Sequence, residues 1–143
     1  MKEKIIELYG ERVGYTVSEL NSFREEGHRI RHVEKLARVA SKYSILAEVV
    51  SSRNCNSGHI VGQKFLLDLD GNFLAKHLPK KLCVYLASQL TIPVALINER
   101  LGEGLLPGDF HFMRKLRCPD VGVECLGYGE VMLQVSVVPR VKE

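Results

Sequence analysis

Two short stretches of this 143-residue chain concentrate the side chains that could do chemistry. The first is Cys55-Asn56-Ser57-Gly58-His59-Ile60-Val61-Gly62. The second is Cys118-Pro119-Asp120-Val121-Gly122-Val123-Glu124-Cys125. Cys55, His59, Cys118 and Cys125 are four soft ligands, the set that a tetrahedral metal site uses, with zinc or iron as the expected ion. Their spacing, Cys-x3-His and Cys-x6-Cys, can close on a metal but is not the Cys-x2–4-Cys pair of zinc ribbons and knuckles. The same residues admit a thiol reading. An imidazolium at His59 would lower the Cys55 thiol pKa and support nucleophilic or redox chemistry, although no Cys-x-x-Cys pair is present. The plain alternative is small residues packed at loop ends, where cysteine fits well.

The remaining polar residues of the two stretches extend the candidate site. Asp120 and Glu124 could act as acid, base or oxygen ligand, or could simply cap backbone amides of their loop. Gly58 and Gly62 in the first stretch, and Gly122, Gly127 and Gly129 in and after the second, allow close backbone approach. They could offer N–H groups to an anion or a cofactor. The expected cofactor-binding set is therefore Gly58, Gly62, Asp120 and Glu124. No dinucleotide or P-loop phosphate motif occurs. Cys83, between Leu82 and Val84, reads as core. His77 and His111 are isolated, and Glu99-Arg100 reads as an exposed ion pair.

Periodicity suggests what positions these loops. Thr16 and Glu19 form a capping box for a short helix reaching about Glu26, with Gly27 ending it. Ile30, Val33, Ala37 and Ala40 line one face of a second helix over about Arg29–Lys42. Beside them runs a basic stripe, Arg31, Lys35, Arg38 and Lys42. Its phosphate-binding reading is weaker than that of a solvated helix face. Residues 45–50 and 64–69 read as strands of a hairpin with a long polar tip. Pro79 opens a helix to about Leu90, and Pro93 a second one to about Gly102. Residues 110–116 and 130–138 are the last two strands. Helices and strands in blocks favour an α+β fold: a mostly antiparallel sheet of about four strands, a central helix pair and an N-terminal helical arm. The expected division is an arm over residues 1–43 and an α+β domain over 44–143.

Composition sets bounds on partners. Twenty basic against 17 acidic residues leave a formal charge of +3, too little to demand an anionic partner. No apolar stretch is long and uninterrupted enough for a membrane span, and the first residues lack a signal-peptide pattern. The expectation is a cytoplasmic protein with reduced thiols, acting on no membrane, with nucleic acid the weakest partner.

At the two loops the chain resembles a group of small uncharacterised bacterial and archaeal proteins. Their hallmark is Cys-x2-Gly-[His/Tyr]-x2-Gly, then a Cys-Pro-Asp-type loop and a final strand. Here these are Cys55, Gly58, His59 and Gly62, then Cys118, Pro119 and Asp120, then the strand from Glu130. The resemblance covers about residues 45–138 and implies a shared site without naming a reaction.

Two functions are thus in view. One is a small metal- or thiol-dependent protein whose site is built from both loops. The other is a non-catalytic module that binds a small-molecule ligand or serves as an accessory subunit. In that case it assembles as a homo-oligomer through its N-terminal helices.

Overall fold

The structure, a computed structural model, describes residues 2–142. Five α-helices and four strands follow in the order α1 (Lys2–Val13), α2 (Val17–Arg24), α3 (Gly27–Ala40), β1 (Tyr43–Arg53), β2 (Lys64–Leu67), α4 (Val84–Ser88), α5 (Thr91–Gly102), β3 (Lys115–Arg117) and β4 (Glu130–Pro139). The strands form one antiparallel sheet ordered β2-β1-β4-β3. The α+β architecture read from the sequence is the one observed.

Alternation along the central strands decides which face is covered. Ile45, Ala47 and Val49 on β1 and Leu133 and Val135 on β4 are completely buried. The intervening Glu48 and Gln134 turn to the more open face. The buried set joins Phe65 and Leu67 of β2, Leu36 of α3, Leu86 of α4, and Ile97 and Leu101 of α5 in one core. Each large side chain in it contributes about 1.5–3 kcal/mol by leaving water. Because Leu36 belongs to this core, the third helix is bound to the sheet layer. The first two helices gather around Tyr9, Tyr15 and Phe23, whose ring centroids lie 5.6–5.9 Å apart.

Local signals explain the element ends where the chain obeys them. The capping box is complete: the Glu19 N–H donates to Thr16 Oγ1 at 3.2 Å and the Thr16 N–H to Glu19 Oε2 at 2.8 Å. β2 stops at Leu67 because Asp68 turns the chain, its Oδ1 accepting the N–H groups of Asp70 and Asn72.

Three expectations need correction. Gly27 does not end the second helix; α2 stops at Arg24 and Gly27 opens α3. The helix expected from Pro79 shrinks to Val84–Ser88. Its would-be first turn is spent elsewhere, since the Cys83 N–H donates to His59 Nε2 at 3.1 Å and is not free for an intrahelical bond. The strand expected over 110–116 shortens to Lys115–Arg117, because Met113 has φ +62° and breaks the extended backbone. Among the described residues, no helix is long and apolar enough to cross a membrane.

Candidate functional site

Antiparallel pairing places both sequence-selected loops at one end of the sheet. Arg53, where β1 ends, pairs with Glu130, where β4 begins. β2 begins and β3 ends at this same end. Residues 54–63 and 118–129 are therefore neighbours, and their backbones touch. A Cβ on Gly129 would stand 2.3 Å from the Asn54 carbonyl oxygen, so only glycine fits there.

The candidate ligands do not gather at this contact. Among the described residues, no group of three or more His, Cys, Asp and Glu side chains is placed to hold a metal ion. His59 is 2% exposed and has both ring nitrogens engaged. Nε2 accepts the Cys83 N–H, so the ring proton is on Nδ1, which donates to Gln63 Oε1 at 2.9 Å. Its ring also packs edge-on to Phe65, centroids 5.5 Å apart. Cys55 and Cys118 are half-buried and pack against the core, whereas Cys125 is exposed; all four cysteines are free thiols.

Asp120 performs the plainer of its two expected roles. Its carboxylate accepts the backbone N–H groups of Tyr128 (2.8 Å), Gly122 (3.1 Å) and Gly129 (2.9 Å). These bonds, the Tyr128 one foremost, hold its carboxyl below the usual carboxylate range. Gly127 is forced as well, since a Cβ there would strike Asp120 Oδ1 at 2.3 Å. Glu124 lies exposed on a short 3-10 turn. Between the loops is a cleft of about 60 Å3 lined by Arg53, Asn54, Glu124 and Gly129 among others, enough for roughly two waters. Gly58 and Gly62 have positive φ, +77° and +92°, as turns demand, and the Gly62 N–H is used by Val49 O.

The loops expose several large apolar side chains. Ile60 and Val61 from the first, and Val121, Val123, Leu126 and Tyr128 from the second, stand in solvent. The tip expected to be polar is mixed, since Asn54 and Asn56 are exposed alongside Ile60 and Val61. Leu126 is 95% exposed and Tyr128 78%. Leu126 also has φ +70°, a left-handed conformation costly for a branched residue. Val84 and Tyr85, next to the Cys83 anchor on the first loop, are exposed too.

Two features lie outside the candidate site read from the sequence, and one of them is Cys83, which packs against the core as expected. Cys83 occupies the N-cap of α4. Burial pushes its thiol up, but the backbone N–H of Leu86, the Ser57 hydroxyl and the backbone N–H of Tyr85 outweigh that and leave it below its ordinary value. The second is a groove of about 520 Å3 between α1 and α3. Ile5, Leu8, Val33, Leu36 and Ala37 give it apolar walls, and Tyr9, Arg12, His32, Asp70 and Asn98 are its polar groups. Burial foremost, then Tyr15, raises the Tyr9 phenol, and Asp70 adds to this while Arg12 opposes it. Ile5, Leu8, Tyr9 and Arg12 fall at i, i+3, i+4 and i+7, so the groove face of α1 was open to reading from periodicity.

The basic stripe of α3 is partly neutralised. Arg38 pairs with Glu34 at 2.7 Å and Arg31 with Glu103 at 3.5 Å. Comparison with known proteins gives no matching family model, no matching curated sequence and no matching solved structure.

Proposed function

We propose that this protein is a non-catalytic partner-binding module, with the two-loop end of the sheet as its docking face. The observation that carries this reading is how the loop residues are used. His59 and Asp120, which could have done chemistry, are consumed in holding the loops. Large apolar side chains stand free beside the exposed Asn56 and Glu124, with Leu126 extended into solvent from a strained backbone. Exposed apolar clusters on braced scaffolds are characteristic of interaction surfaces. A photo-crosslinking residue at Leu126, with the exposed Val17 of α2 as control position, tests it in cells. A discrete adduct from position 126, lost on Tyr128→Ser, is expected. The same adducts from both positions would remove the reading.

The thiol reading survives at a different cysteine. The Cys83 thiol is held below its ordinary value by the groups around it. A reactive thiol there would be carried by Ser57 and the start of α4 rather than by Cys55 with His59. Loss of function in Cys83→Ser with adducts at Leu126 unchanged would favour it over the docking role. A metal at Cys55, His59, Cys118 and Cys125, zinc or iron, would require His59 to release Cys83 or Gln63. Elemental analysis of protein purified without a chelating tag tests that version, and less than about a tenth of an equivalent would end it.

A further inference from the structure

We propose that the groove between α1 and α3 binds a small amphipathic zwitterion, of the class of a free apolar amino acid. This site lies apart from the docking face. Asp70 sits in the turn after β2, at the sheet end opposite the two loops. The volume of about 520 Å3 falls within the range of small-molecule pockets, roughly 300–1,000 Å3.

The polar groups of the groove set the ligand class. Arg12 Nη1 faces Asp70 Oδ2 at 3.7 Å, which is within ion-pair range but too long for a hydrogen bond. The guanidinium also lies over the Tyr9 ring, 5.4 Å from its centroid, an interaction that uses none of its N–H donors. Both charges therefore retain hydrogen-bonding capacity beside an apolar wall. The other polar pair, His32 and Asn98, is joined to itself. Asn98 Nδ2 donates to Leu69 O at 2.8 Å, which leaves its Oδ1 to accept from His32 Nε2 at 2.7 Å. A ligand bearing only a carboxylate gains Arg12 but meets the repulsion of Asp70. One bearing only an ammonium meets the reverse. A molecule carrying both groups can satisfy each charge with a charge-assisted hydrogen bond while its side chain covers Ile5, Leu8 and Val33.

Calorimetric titration of the intact protein with L-phenylalanine, hydrocinnamate and phenethylamine tests this. Saturable phenylalanine binding is expected, with each analogue at least about tenfold weaker. Asp70→Asn should weaken phenylalanine about tenfold yet leave hydrocinnamate unchanged or tighter, and Arg12→Gln should do the converse with phenethylamine. Both residues are largely solvent-exposed partners of a surface pair, so neither variant threatens folding. Ala37→Trp, which fills the groove, should abolish all binding. Hydrocinnamate or phenethylamine binding as tightly as phenylalanine would overturn the zwitterion assignment. Absence of saturation by about 20 mM phenylalanine would overturn the site itself. Neither result bears on crosslinking at Leu126.

Discussion

The two loops that share one end of the sheet are braced in opposite ways. Residues 54–63 are held by the rest of the molecule. Their anchor is His59, buried against Phe65 and bonded to the backbone of Cys83, 24 positions away. Residues 118–129 join the core at Cys118 and the first loop at Gly129, but their turn is braced from within, by one carboxylate that accepts three N–H groups of its own loop. A loop tied to the core fails only when the core is damaged. A loop tied to itself can open while the core stands. Two stretches of similar composition at one sheet end can thus differ widely in local stability.

His59→Ala tests the first half of that contrast and should have the largest effect. It removes a buried ring and leaves the Cys83 N–H without its partner, for a loss of about 3 kcal/mol in urea denaturation. A loss below about 1 kcal/mol would mean that the first loop is not core-anchored. Gly129→Ala comes next. Its methyl group would meet the Asn54 backbone, which cannot swing aside, so a cost of about 1–3 kcal/mol is expected. Faster amide exchange should then appear in both loops, because this contact joins them. Exchange confined to one loop would show that they are independent.

Asp120→Asn should act locally. Amides of Gly122, Tyr128 and Gly129 should exchange faster while Ile60 and Gln63 stay unchanged. The pH dependence has the same origin. The folded carboxyl titrates below its unfolded value of about 3.9. Its contribution is therefore complete above that value and is lost as pH falls through the folded pKa. Amide exchange measured down the acid limb should show the second loop releasing before the first. Simultaneous release would break the comparison.

Ser57→Ala probes a side effect of the first loop's anchoring. The Ser57 hydroxyl helps lower the Cys83 thiol. Its removal should shift the midpoint of Cys83 alkylation to higher pH, with little change in stability. Smallest of all should be Leu126→Asn. Asparagine tolerates positive φ better than leucine, and nothing is buried at this position. Stability should change by no more than about 0.5 kcal/mol, while crosslinking from neighbouring Tyr128 falls. A large destabilisation would show that Leu126 is a packing residue and not a docking one.

The features legible in the sequence are those that residues settle among near neighbours. The Thr16–Glu19 box spans three positions, and its two hydrogen bonds need only the first helical turn. Alternation in β1 and β4 marks which side chains enter the core, because a strand has only two faces. Asp120 as a loop organiser was also open to reading, since its partners lie two to nine residues away. The block order of helices and strands led to the α+β class for the same reason.

Tertiary structure alone decided the rest, wherever a group had partners from distant segments. Pro79 signalled a helix start, but His59 claimed the Cys83 amide and the helix began later. His59 and Cys55 looked like a reactive pair by type and spacing. Burial against Phe65 and two ring hydrogen bonds instead turned the imidazole into a brace. The groove beside Arg12 depends on α1 meeting both α3 and the Asp70 turn. A residue's type lists the bonds it can make. Which of them it makes depends on which donors and acceptors the completed fold brings within about 3 Å.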